Sequence, residues 1–161
     1  MGIELDDMIG EEGIRYYAVR SVIEILKDKD CNKAYAYTRE ICAESTYSDQ
    51  YYQYFDDLLS LLKEENSYYK TRGIMIIASL SKWDREGKVA RSTPQILALL
   101  EDKKPVVVRK CIDALKEIVK NCPETKSSVL KAVERIDITR FKDSMSPLIK
   151  KDIDDLYNTL N

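Results

Sequence analysis

The apolar residues of this chain recur at steps of three and four almost from end to end, and that period admits one kind of secondary structure. Ile14, Tyr17, Ala18, Val22, Ile25 and Leu26 form one such stripe. Val108, Cys111, Ile112, Leu115, Ile118, Val119 and Cys122 form another, opposite Lys110, Asp113, Lys116, Glu117 and Lys120. No segment of useful length alternates as a strand does. A sandwich or barrel also needs many turns, and 161 residues with 5 Gly and 4 Pro do not supply them. The chain is therefore expected to be all-α and, at this length, a single domain with a sizeable core.

About eight helices with short connections follow from the pattern. Asp28-Lys29-Asp30 breaks the first stripe, and a second helix runs from Asn32 to Glu44, burying Ala34, Tyr37, Ile41 and Cys42. Ser45 to Asp49 reads as a turn rich in capping residues; the helix after it buries Tyr51, Phe55, Leu58, Leu59 and Leu62. The next segment, Tyr68 to Lys82, is apolar all the way round at Ile74 to Ala78, so neighbours must cover it on several sides. Asp84 to Lys88 reads as a polar loop. Ser92 with Gln95 fits a capping box, with Pro94 in the first turn of a short helix carrying Ile96, Leu99 and Leu100. Pro105 opens and Pro123 ends the strongly amphipathic helix; two more follow, Lys126 to Ile136 and the one that Ser146-Pro147 opens.

Fixed-period similarity separates a stack of helix pairs from a globular bundle. Ile25-Leu26-Lys27-Asp28, Leu61-Leu62-Lys63-Glu64 and Leu99-Leu100-Glu101-Asp102 share one form, two aliphatics followed by an acid two residues on. Arg39-Glu40-Ile41-Cys42, Arg72-Gly73-Ile74-Met75 and Arg109-Lys110-Cys111-Ile112 share a second form, and both recur at intervals of roughly 33–38 residues. Four units result, over approximately 11–46, 49–83, 89–122 and 126–161.

The stretch from Leu99-Leu100-Glu101-Asp102 through Pro105-Val106-Val107-Val108-Arg109 to Ala114-Leu115 resembles a HEAT repeat. The unit from Leu61 to Leu80 resembles it in part, with Glu64 in place of Asp and Thr71 in place of Val. The resemblance implies a right-handed α-α superhelix (solenoid) of about four stacked antiparallel helix pairs. It also implies that Asp102 and Arg109, with Glu64 in the preceding unit, are ladder residues tying neighbouring repeats together. A solenoid hosts many functions, so the resemblance names no activity.

Several activities are disfavoured by what the chain lacks. It has no His, the commonest general base and metal ligand. Cys31, Cys42, Cys111 and Cys122 make no CxxC pair, so no metal is expected, and three of them fall among core positions. Asp56-Asp57, Glu64-Glu65 and Asp154-Asp155 are neighbours in sequence, which do not face each other on a helix and cannot share a proton. The five glycines are scattered, so no phosphate-cradling loop exists, and no cofactor is expected. The N-terminal residues carry neither a basic nor an apolar leader, and Asp6 stands where a myristoylation signal wants Ser or Thr. With no apolar run long enough to span a bilayer, a cytoplasmic protein off the membrane is expected.

What remains is unusual in its tyrosines, 11 of them, mostly in the first half. Adjacent helical residues point about 100° apart, so Tyr16-Tyr17, Tyr51-Tyr52 and Tyr68-Tyr69 cannot all reach the core. Tyr offers contact area at low entropic cost. The expected function is a non-enzymatic module binding a protein or peptide on a concave or aromatic-lined face, through Tyr35, Tyr51, Tyr54, Tyr69, Arg72 and Lys110. Arg72 and Arg109 could grip a carboxylate or phosphate, or could be held in an internal ladder with Glu64 and Asp102. The second reading is a nucleic-acid-binding HEAT-like protein, akin to a DNA-repair glycosylase. It needs Lys70, Arg72, Lys82, Arg85, Lys88, Arg91, Lys103, Lys104, Arg109 and Lys110 on one side; the net charge of −2 argues against it.

Overall fold

A computed structural model describes Gly10 and residues 21–161, and the described residues form helices and turns with no strand. The stripe expected before residue 21, and the Tyr16-Tyr17 pair, lie outside the described residues. Helix α1 enters at 21–26; α2 is Cys31–Glu44, α3 Phe55–Leu61, α4 Ser67–Leu80, α5 Lys88–Arg91 and α6 Thr93–Leu97. Helix α7 is Pro105–Asn121, α8 Lys126–Glu134 and α9 Ser146–Leu160. Tight 3₁₀ turns flank them, Tyr52–Tyr54 leading into α3 and Ala98–Glu101 extending α6.

The helix ends follow from local chemistry. The Asp30 carboxylate accepts from the amides of Asn32 and Lys33 and caps α2, while Asn66 caps α4 at the amide of Tyr68. Proline stands in the first turn of α7 and α9, where its missing N–H costs nothing, and α7 stops at Cys122, just before Pro123. The capping box expected at Ser92 does not form: Ser92 sits at φ −96°, ψ 3° and its side chain caps nothing. The cap lies further upstream. The Asp84 carboxylate accepts from the amides of Lys88 and Val89, both at 2.9 Å, and starts α5 inside what the sequence marks as a loop. Gly87, at φ +68°, supplies the left-handed residue that lets the chain turn back over this carboxylate.

The longer helices pack in succession: α2 on α4, α4 on α7, and α7 on α9. Helix α4 is therefore covered from both sides, and Ile74, Ile76, Ile77, Ala78 and Leu80 are all buried, as its all-round apolar sequence requires. Helix α3 crosses it at Gly73. A Cβ there would lie 3.2 Å from Leu61 Cβ and 3.3 Å from the Leu58 carbonyl oxygen. Buried side chains make one cluster from Val22 to Leu156, so the described helices share a single core.

The successive helices point the same way. At their C-terminal ends the Trp83 indole donates to the Ser45 carbonyl at 2.7 Å, and the Asn121 amide donates to Ser81 Oγ at 3.0 Å. These bonds set the end of α4 beside the end of α2, and the end of α7 beside the end of α4. At the opposite ends, Arg109 in the second turn of α7 meets Asp152 in the second turn of α9.

Candidate interaction surfaces

Cation–carboxylate bonds join segments 32 to 43 residues apart. Lys27 donates to Glu64 at 2.7 Å, Lys70 to Asp102 at 2.6 Å, and Arg109 makes a two-pronged pair with Asp152 at 2.6 and 3.3 Å. Glu64, Asp102 and Arg109 each bond a residue far away in the chain, but their partners are not those expected. Arg109 pairs with Asp152 rather than with Asp102, and Asp102 is taken by Lys70. The pair with Asp152 holds the Arg109 guanidinium above its usual pKa.

Arg72 is not in this ladder. It is buried, with 3% of its surface exposed, and its Nη1 donates to the Leu26 carbonyl at 2.6 Å. Its guanidinium also lies 5.3 Å from the Tyr68 ring centre. It closes the C-terminal end of α1 and is not open to a ligand.

The tyrosines divide. Tyr51 and Tyr54 come together, half-buried, with ring centres 6.3 Å apart, and Tyr51 donates its hydroxyl to Glu44 at 2.7 Å. Burial and the Glu44 carboxylate push the Tyr51 hydroxyl well above its usual pKa. Tyr52 is buried and donates to Asp84 at 2.7 Å, so the carboxylate that caps α5 also anchors this ring. Tyr69 lies under the Lys27 ammonium, 5.3 Å from its ring centre. Tyr35 is exposed on α2, and Lys110 sits half-buried on α7. The six residues expected to bind a partner therefore occupy separate places; no hydrogen bond or ring contact joins the Tyr51–Tyr54 pair to Tyr69, Arg72 or Lys110.

A different set lines up. The exposed large apolar residues include Tyr35 at 43%, Tyr68 at 58%, Val106 at 51% and Leu148 at 39%. These four fall in the first or second turn of α2, α4, α7 and α9, at the same end of helices that run in parallel; Tyr47, more exposed than any of them at 76%, lies in the turn after α2. Val106 and Leu148 were missed from the sequence, although each directly follows a proline in a first helical turn. Beside Val106 a cleft of about 380 Å³ is lined by Lys110, Asp113, Met145 and the Arg109–Asp152 pair. Lys110 makes no ion pair there; its charge partly offsets the rise that burial imposes on the Cys42 thiol.

Most cations of the proposed basic face are already engaged. Lys70, Arg85, Lys88 and Arg109 bond carboxylates, while Arg72, Lys82 and Arg91 bond the carbonyls of Leu26, Thr46 and Glu86. Lys103, Lys104 and Lys110 are left. Among the described residues no three Cys, Asp or Glu side chains gather to hold a metal ion, and no helix is long and apolar enough to cross a membrane. The chain matches no protein-family model, no curated protein and no solved structure.

Proposed function

We propose that this chain is a non-enzymatic protein-interaction module, a HEAT-like solenoid of about four helix pairs that presents the first turns of its second helices to a partner. The observation that carries the reading is the exposure of Tyr35, Tyr68, Val106 and Leu148 near the starts of α2, α4, α7 and α9, with Tyr47 exposed apart from them in the turn after α2. A monomeric surface scatters its apolar residues; a repeat that exposes one at each equivalent turn makes a continuous ridge, which suits an extended or helical protein segment. Ordered packing of α2, α4, α7 and α9 and charged bonds between segments 32 to 43 residues apart support the solenoid. Engagement of seven of the ten candidate cations weighs against the nucleic-acid reading, since those charges already have protein acceptors.

The immobilised protein, challenged with its native lysate with and without nuclease, tests this. A partner that survives nuclease and is lost on Tyr68→Asp with Val106→Asp is expected. Both residues are at least half exposed, so the double variant folds; an unchanged circular dichroism spectrum checks that. Retention that vanishes with nuclease would replace this reading with nucleic-acid binding, and retention indifferent to the double variant would remove the ridge from the account.

A further inference from the structure

Cations of this fold are spent on carboxylates and on aromatic rings. Lys27, Lys70, Arg85, Lys88 and Arg109 bond carboxylates. A Lys or Arg lies over the rings of Tyr52, Tyr68, Tyr69, Trp83 and Phe141. One cluster of acids and rings, between α2 and the turn that leads into α3, has no such cation among the described residues. Tyr37, Glu40 and Glu44 follow one another at steps of three and four, which sets them within about 60° of each other around α2. Tyr51 and Tyr54 stand against this stripe, with ring centres 6.3 Å apart and planes tilted by 51°, and Tyr51 donates to Glu44 at 2.7 Å. Tyr35, two residues before Tyr37, points to the other side of α2, so the cluster stands apart from the exposed residues at the helix starts.

The negative charge of the cluster is left uncompensated. Glu44 accepts from the Tyr51 hydroxyl and, at 3.1 Å, from the Gln50 amide; both donors are neutral, both reach Oε2, and Oε1 takes neither. Glu40 is exposed and makes no ion pair among the described residues. Like charges four residues apart on a helix repel, and these two stand toward the C-terminal end of α2, where the dipole is negative and the last turn holds no basic residue. The cations nearby do not offset them. Lys82 bonds the Thr46 carbonyl beyond the helix end and lies over Trp83, while Arg39 points about 100° away from Glu40. Burial, then the neighbouring hydroxyls and the Glu40 and Glu44 carboxylates, raise the Tyr37 and Tyr51 hydroxyls above their usual pKa, so both phenols stay neutral donors.

We infer that the Tyr37, Glu40, Glu44, Tyr51 and Tyr54 cluster is a binding site for an arginine side chain of a partner protein. A guanidinium is planar, carries five N–H donors in a fixed fork and lies flat on a tyrosine ring. Here it meets the free Glu44 oxygen and Glu40 with charge-assisted bonds while it covers the tilted rings of Tyr51 and Tyr54. It also neutralises two like charges at the negative end of a helix, which no resident cation does. The Tyr51–Glu44 bond holds ring and carboxylate in place beforehand, so little is left to order when the arginine arrives.

Fluorescence polarisation on the full chain, with a pair of short dye-labelled peptides, tests this. The peptides are identical except that one carries arginine where the other carries citrulline, its neutral isostere. The arginine peptide is expected to bind at least about tenfold more tightly than the citrulline peptide, a comparison that needs no variant to fold. Glu40→Gln with Glu44→Gln keeps the hydrogen-bond acceptors and removes both charges, and is expected to bring the two peptides to within about twofold. Glu134→Gln with Asp154→Asn makes the same change of charge at exposed positions on α8 and α9, and is expected to leave the preference intact. Tyr54→Leu is expected to weaken the arginine peptide about threefold. Equal binding or no binding of the two peptides by the wild-type chain would overturn the inference. So would a preference that survives Glu40→Gln with Glu44→Gln, an equal loss in both double variants, or undiminished binding by Tyr54→Leu.

Discussion

Arg72 is where a sequence candidate for ligand binding becomes a structural bolt, and its removal has a magnitude that can be worked out. The guanidinium is buried, donates to the Leu26 carbonyl at the end of α1, and lies over Tyr68. Among the described residues it makes no ion pair, and the Asp28 carboxylate that its charge helps keep ionised is not buried, so no buried counter-charge is stranded when it goes. Arg72→Leu keeps most of the packing and leaves the Leu26 carbonyl unpaired, which costs about 1.5–3 kcal/mol for a bond to a charged group. Arg72→Ala also opens a cavity beneath α4, and together these cost about 3–5 kcal/mol. Against a total stability of about 5–15 kcal/mol that is a large fraction. With a urea m-value of about 2 kcal/mol/M, the alanine variant moves the unfolding midpoint down by about 1.5–2.5 M and the leucine variant by about half as much. The bond ties α4 to the end of α1, so amides of 22–27 should also lose hydrogen-exchange protection before those of α7 do. An alanine midpoint within about 0.5 M of wild type, or exchange unchanged over 22–27, would refute the reasoning.

Other outcomes follow from the same contacts. Gly73→Ala gains about 1 kcal/mol of helix propensity but drives a methyl against Leu61 Cβ and the Leu58 carbonyl, neither of which is a flexible tip; the net effect in thermal or urea unfolding is destabilisation of about 1–3 kcal/mol. Of the cysteines, Cys31 is exposed and reacts first with a thiol reagent at pH 8, while Cys111 and Cys122 stay silent until the protein unfolds: both are buried, and burial raises the Cys122 thiol to about 11. Tyr51 and Tyr52 hold their hydroxyl protons in the fold, by burial and by carboxylate acceptors, above the ordinary value of 10.0. The unfolded chain therefore loses these protons first, and their contribution is full below about pH 10 and falls as pH rises beyond it. Tyr52→Phe should be less stable than wild type at pH 8 by about 1 kcal/mol and show a shallower loss of stability in urea melts above pH 10.

Helix identity was legible in the sequence because the apolar period is local. The stripe from Val108 to Cys122 and the prolines at 105 and 123 lead to α7 with its ends in place. The all-round apolar run in α4 also signals burial on both sides before any neighbour is known. Ser92 shows the limit of local reading. Ser92, Pro94 and Gln95 satisfy the capping pattern, yet Asp84 caps an earlier start, because Gly87 lets the chain fold back over its carboxylate and Tyr52 holds that carboxylate in place.

The candidate surface was less legible than the helices. A tyrosine's residue type does not say whether its ring faces a neighbour: Tyr52 is buried and Tyr68 exposed, though each belongs to an adjacent pair. Nor does spacing within a unit tell an acid which cation it will meet. Glu64, Asp102 and Arg109 stand out in sequence, but Lys27, Lys70 and Asp152 complete their pairs from 32 to 43 residues away.

The sequence by itself determined the helices, their rough limits and the burial of α4, since backbone hydrogen bonding and side-chain period act within a few residues. Only the tertiary structure decided that Arg72 is a bolt rather than a ligand site, and that Val106 and Leu148 stand exposed in the first turns of α7 and α9. Those outcomes depend on which helix ends meet across some 30–45 residues of chain, as the Arg72–Leu26 and Arg109–Asp152 bonds do at separations of 46 and 43. No local pattern carries that information, because the energy that fixes it comes from burial and bonding between helices packed side by side.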